Sequence, residues 1–102
     1  MHHVSLHAKA DLDRIWQYIR EKSGSAEIAD RQIDAVIERF SLLAAHPRAG
    51  RARDDLGPGR RSFPADSYII VYRIEGEDVL ILRVAHSRQD IRALMSRTGE
   101  GR

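Results

Sequence analysis

The chain has 102 residues, 42% of them apolar, with 17 Lys+Arg against 15 Asp+Glu; this is one small domain, residues 1–102, with enough apolar residues for a core and too little net charge for disorder. Cysteine is absent, which excludes disulfides, a thiolate nucleophile and Cys-ligated zinc. The longest apolar run, Tyr68 to Tyr72, is far short of the roughly 20 residues of a membrane span, and Lys9, Asp11, Asp13 and Arg14 leave no secretory apolar segment, so the expected compartment is the cytoplasm.

The basic residues are unevenly typed and placed. Fifteen are Arg and two, Lys9 and Lys22, are Lys. Residues 1–47 carry six bases and seven acids, residues 48–102 eleven and eight, and every base of the second half is Arg. Arginine's planar fork of donors suits carboxylates, phosphates and aromatic faces. A GC-rich genome would raise the total in the same way, but it would not decide where the arginines cluster.

Residues 2–6 predict a short first strand, and Ser5 has the residue type of a helix N-cap. Ala8, Leu12, Ile15, Trp16 and Ile19 then fall on one face of a helix, with Asp11, Asp13, Arg14 and Gln17 on its other faces. Ser23-Gly24-Ser25 ends it, and Ser25 caps a second helix whose apolar face is Ala29, Ile33, Val36, Ile37, Phe40, Leu43 and Ala44. Pro47 closes that helix at His46. The expectation is an antiparallel helix hairpin, about 8–22 and 25–46, with Trp16 and Phe40 in the core.

Residues 47–61 hold three Gly, two Pro and no apolar period, which predicts a surface loop. Arg48, Arg51, Arg53, Arg60 and Arg61, less Asp54 and Asp55, give it a charge of +3 within 14 residues. Such a patch suits an acidic partner or a phosphate backbone, or is simply a solvated loop. Next come two β-rich runs, 67–75 and 78–86, around Gly76-Glu77, the clearest hairpin signal in the chain. Both faces of these runs are apolar near their centres, so the second face is either covered or left as a binding surface. Ser87-Arg88-Gln89-Asp90 has capping-box spacing for a short helix through Met95, followed by a frayed tail from Ser96.

In this order and spacing the residues resemble a known family. Ala10-Asp11-Leu12 with Ile15-Trp16-Gln17-Tyr18-Ile19, then Pro47, Gly50-Arg51, Asp55-Leu56, Pro58-Gly59-Arg60-Arg61-Ser62-Phe63, Tyr68 to Arg73, and Leu82 to Asp90, resemble the RelE/ParE superfamily of toxins of type II toxin–antitoxin systems, the ParE branch in particular. The resemblance covers about residues 4 to 95. It implies an α+β fold of β-α-α-β-β-β order, an antiparallel sheet packed on a helix hairpin. Leu6 stands where such proteins often have Pro, and His86-Ser87-Arg88-Gln89-Asp90 where they often have His-Gly-Arg-Arg-Asp.

The resemblance also implies one of two activities. RelE-like members cut mRNA on the ribosome, whereas ParE-like members poison DNA gyrase. Metal-free RNA cleavage needs a base, an acid and cations converging on one phosphate. The Lys and Tyr set that RelE-like sites use has no counterpart after Lys22 and Tyr72. A Glu/Arg/His-type set could be drawn from Asp55, Arg61 and His86, unless Asp55 shapes its turn, Arg61 sits in an ion pair and His86 merely ends a strand. We therefore expect gyrase inhibition without catalysis, no cofactor and no metal; His2, His3 and His7 are irregularly spaced for a metal site. The expected partners are a ParD-like antitoxin, in a hetero-oligomer, and gyrase. The expected binding residues are Arg51, Arg60, Arg61, Arg73, Arg83, His86 and Arg88.

Overall fold

The structure, a computed structural model, describes residues 1–98. The elements run β1 (His2–Val4), α1 (Leu6–Ser23), α2 (Ala26–Ala45), β2 (Arg51–Ala52), a 3₁₀ turn (Asp54–Leu56), β3 (Arg60–Ala65), β4 (Tyr68–Glu75), β5 (Asp78–His86) and α3 (Ile91–Thr98). The sheet order is β1-β5-β4-β3-β2. The expected α+β class and β4–β5 hairpin are present, but the sheet is mixed, because β1 runs parallel to β5. None of the helices among the described residues is long and apolar enough to cross a membrane.

Local chemistry explains the helix boundaries. Ser5 Oγ accepts from the Ala8 N–H at 3.1 Å and Ser25 Oγ from the Ile28 N–H at 3.2 Å, so both expected caps form. Gly24 takes φ 71°, the left-handed conformation that ends α1 at little steric cost. The indole N–H of Trp16 reaches Asp30 Oδ1 at 2.7 Å. Trp16 is thus half-buried at the rim of the hairpin, not in the core as expected, because its ring N–H needs an acceptor.

One face of the sheet packs on the helix hairpin: Ile70, Tyr72, Val79, Ile81 and Val84 meet Ala8, Val36, Phe40 and Leu43. Fully burying each large member contributes about 1.5–3 kcal/mol. The other face, expected to be either covered or open, is covered. Val71, Leu80 and Leu82 lie under Leu56 and Met95, with Ile69 and Ile91 packed alongside.

Three sequence expectations need correction. Residues 47–61 are not a plain loop. They hold β2, the 3₁₀ turn and the start of β3, where strand pairing replaces any need for apolar periodicity. Helix α3 does not stop at Met95; it reaches Thr98, which is buried and hydrogen-bonded, so 96–98 are not a frayed tail. The remainder of that expected tail, 99–102, lies outside the described residues. The side chain that caps α3 is Asp90, which accepts from the Ala93 N–H at 3.2 Å, and not Ser87.

Strand β5 has an irregular centre and a closed outer edge. Val71 pairs with Arg83 while Tyr72 pairs with Ile81, so Leu82 is an extra residue, a bulge. Beyond β1 the outer edge of β5 is closed by side chains. Ser5 Oγ donates to Leu82 O at 3.0 Å, the Val84 N–H donates to Asp11 Oδ2 at 2.9 Å, and the His86 N–H donates to Gln89 Oε1 at 2.9 Å. Edge groups satisfied in this way do not recruit another strand.

Candidate functional site

The expected binding residues fall into separate places. Arg83 and Asp11 form one of them. The bulge swings Arg83 toward the edge of the sheet, where Nε and Nη2 donate to the two oxygens of Asp11, each at 2.8 Å. Arg83 Nη1 donates to Thr98 Oγ1 at 2.8 Å, and Arg14 donates to Asp11 Oδ1 at 2.6 Å. Asp11 is 3% exposed and Arg83 6% exposed. A buried charge survives only with its hydrogen bonds made, and here the chain supplies them itself. The helical period predicts Asp11 on an outer face of α1. It belongs instead with Ala8 and Ile15 on the inner side, and the signal for that is an acid at i+3 and i−4 within an apolar row. The fork ties α1, β5 and α3 together, so Arg83 is committed inside its own chain.

On the covered face, Arg60 and Arg73 stand opposite each other across β3 and β4. Arg60 is 6% exposed and folds its stem against Gly57, while Arg73 pairs with Glu75 at 2.6 Å. Asp55 lies on the same side. It accepts from Arg53 twice, at 3.0 Å, and from Arg92 of α3 at 3.0 Å. The two guanidiniums, Arg53 first, hold its carboxyl well below the usual carboxylate range.

Arg61 stands opposite Tyr72, on the helix-hairpin side. It donates to Gly50 O at 2.6 Å rather than to an acid. Tyr72 completes this corner, accepting from the Gly50 N–H at 2.9 Å and donating to Pro47 O at 2.6 Å. A Cβ on Gly50 would lie 2.5 Å from the Tyr72 hydroxyl, so only glycine fits. The +3 patch is therefore dispersed. Arg48 and Arg51 are exposed, and Arg53, Arg60 and Arg61 are engaged by their own chain.

His86 and Arg88 sit at the far end of β5. The Arg88 N–H donates to His86 Nδ1 at 3.1 Å, which leaves the proton of the neutral ring on Nε2. Tyr68 meets the His86 ring edge-on at 5.5 Å. A hollow of about 470 Å³ opens here between α1, the end of β5 and the start of α3, lined by Arg14, Tyr18, Tyr68, His86, Arg88 and Leu94 among others.

The fold does not bring Asp55, Arg61 and His86 together. Asp55 and Arg61 lie on opposite faces of the sheet. Arg61 pairs with Tyr72 and His86 with Tyr68, four residues apart along β4, or roughly 13 Å. Among the described residues no group of three or more His, Asp or Glu is placed to hold a metal ion. His3 faces Asp78 at 3.3 Å, and His2 packs edge-on against Phe40.

A family model for the ParE toxin of type II toxin-antitoxin systems, parDE, matches residues 3–91. The chain belongs to the ParE toxin family. Toxin ParE3 of Caulobacter vibrioides is 38% identical over 87 residues, covering 85% of this chain and 86% of that protein. Toxin ParE1 of Mycobacterium tuberculosis is also 38% identical over 87 residues, covering 82% and 86%. A solved chain of the chromosomal ParDE TA system from P. aeruginosa superposes with a TM-score of 0.73 at 26% identity, over 83% of this chain and 92% of that one. The sequence resemblance to this superfamily, and to its ParE branch, is borne out.

Arg14, Tyr18 and Lys22, spaced i, i+4 and i+8 along α1 of this ParE-family chain, are not among the binding residues expected from the sequence. Their spacing is the available signal: a polar and aromatic row flanking the buried stripe of an amphipathic helix.

Proposed function

We propose that this ParE-family toxin arrests growth by binding and inhibiting DNA gyrase, without bond-making chemistry of its own, and that a ParD-like antitoxin neutralises it in a hetero-oligomer in the cytoplasm. The family and the ParDE assembly of the Pseudomonas relative support the antitoxin. The observation that carries the non-catalytic reading is the scatter of Asp55, Arg61 and His86. Acid–base cleavage needs its proton acceptor and donor within hydrogen-bond reach of one phosphate. Here the candidates lie on two faces and two ends of the sheet. Asp55 is neutralised by two arginines, and His86 Nδ1 is occupied by a backbone N–H. Binding then falls to the outward-facing groups, Arg48 and Arg51 on one side and His86 and Arg88 on the other, while Arg83 acts indirectly by holding α1 and α3 in place.

Inducing the chain without antitoxin, and assaying gyrase supercoiling beside cleavage of translated mRNA, tests the target. Lost supercoiling or stabilised DNA breaks with intact mRNA is the expected result. Codon-positioned mRNA cuts that disappear in His86→Ala or Arg61→Ala, with gyrase unaffected, would overturn the proposal in favour of RelE-type cleavage. The antitoxin is tested by co-purification with the product of the adjacent small gene.

A further inference from the structure

The hollow of about 470 Å³ between α1, the end of β5 and the start of α3 has its strongest hydrogen-bond acceptors already occupied by its own chain. Both oxygens of Asp11 are taken, by Arg83, Arg14 and the Val84 N–H. Gln89 Oε1 accepts from the His86 N–H at 2.9 Å, which leaves Gln89 its amide N–H groups. His86 Nδ1 accepts from the Arg88 N–H at 3.1 Å, which leaves the ring its Nε2–H.

What these residues leave over is donors. The Arg88 side chain has no partner among the described residues. Arg14 spends one nitrogen on Asp11, and its side chain is 67% exposed. Burial first, and then the neighbouring Tyr18, push the Tyr68 hydroxyl above its ordinary range, so it stays protonated and able to donate. Three guanidiniums line the hollow against one carboxylate, an excess of two positive charges. Between the donors the wall is apolar, formed by Ile15, Val84 and Leu94, with the exposed Tyr18 beside it. Donors without competing acceptors suit an anion. A carboxylate would bring one negative charge, whereas a phosphate monoester brings about −1.5 to −2 and three acceptor oxygens. The apolar wall and the tyrosine ring suit a flat base, which stacks on aromatic side chains. The volume also lies within the roughly 300–1,000 Å³ of small-molecule sites.

We propose that this hollow binds a nucleoside 5′-phosphate. The phosphate lies between Arg14, Arg88 and the Nε2–H of His86, and the base lies against Tyr18 and the apolar wall. The recognised chemistry is the same whether the nucleotide is free or is the phosphorylated end of a single strand. The site goes beyond the gyrase and antitoxin reading and does not depend on it.

Calorimetric titration of the purified chain with adenosine 5′-monophosphate tests this, beside inorganic phosphate, adenosine and a 5′-phosphorylated oligodeoxyadenylate. Saturable one-to-one binding of the monophosphate is expected, at least tenfold tighter than that of phosphate or adenosine. Arg88→Gln and Tyr18→Ala should each weaken it at least tenfold, with the circular dichroism of the free chain unchanged. Arg20→Gln, at an exposed position of α1 outside the hollow, should bind as wild type does. Arg88 is exposed, so Arg88→Gln decides the matter if Tyr18→Ala fails to fold. Tighter binding of the oligonucleotide than of the monophosphate assigns the site to a strand end, and weaker binding assigns it to the free nucleotide; both support the proposal. Saturable binding of neither, phosphate binding as tightly as the monophosphate, or nucleotide binding unmoved by Arg88→Gln would overturn it.

Discussion

Arg83 and Arg51 both belong to the arginine excess of the second half of the chain, yet they do opposite things. Arg83 sits in a bulge at a sheet edge roofed by two helices, and each of its three side-chain nitrogens donates to Asp11 or Thr98. Arg51 sits on a two-residue edge strand, exposed to solvent. The first guanidinium is structural because removing it would strand a buried carboxylate. The second is available to a partner because nothing in the described fold depends on it. Residue type alone, in a chain with fifteen arginines, does not separate the two roles. Burial and the identity of the acceptor do.

The largest effect expected from breaking this contrast is on the Arg83 side. Arg83→Met leaves Asp11 buried without its main cation and should cost about 3–5 kcal/mol, read as a lower urea midpoint at unchanged slope. Combining it with Asp11→Leu should recover most of that loss, since a buried pair replaced by apolar groups is often neutral. A double variant as unstable as Arg83→Met would show that the pair is not what matters. Next comes the Gly50 corner, where Gly50→Ala forces the new methyl against the Tyr72 hydroxyl and Ser62 O and should cost about 1–3 kcal/mol. Tyr72→Phe, which strips a partner from the Gly50 N–H and Pro47 O, should cost about 1–3 kcal/mol by thermal melting.

A smaller effect should come from Asp55, which ties Arg92 of α3 to Arg53 at the 3₁₀ turn. Asp55→Asn should speed amide exchange across residues 91–98 while leaving the sheet protected. The pH dependence has a definite sign. The folded carboxyl titrates below its ordinary value of 3.8, so the stabilisation is fully present above about pH 4 and is lost as pH falls through the lower folded value. Exchange in α3 that stays flat from pH 5 down through this window, after correction for intrinsic rates, would count against the tie. The smallest effect on folding belongs to Arg51→Ala, which should stay within about 0.5 kcal/mol of wild type. Its readout is binding to the antitoxin or to gyrase, and a loss of stability comparable to that of Arg83→Met would erase the contrast between the two arginines.

Much of the architecture was legible in the residues because it rests on local rules. Both helix caps, the Gly24 stop, the 3.6-residue apolar period and the β4–β5 hairpin each depend on a few neighbouring side chains. The two-residue β2, the 3₁₀ turn and β3 were hidden. Their sequence is rich in Gly, Pro and Arg, and their strand state comes from pairing with β4 rather than from their own propensity. The family was legible as well, because it is carried by the order and spacing of many short motifs along the chain.

What the sequence by itself determined was therefore the α+β class, the helix hairpin, the main hairpin of the sheet and the ParE-type ancestry, all properties of residues near one another in the chain or of their order along it. Only the tertiary structure decided which charges are free. Asp11 meets Arg83 across 72 residues, Asp55 meets Arg92 across 37, and His86 is parted from Arg61 by strand register. Pairings over such distances leave no periodicity in the sequence. Whether an arginine faces an acid of its own chain or the surface of another molecule is settled by the bulge, the edge and the helix that covers it.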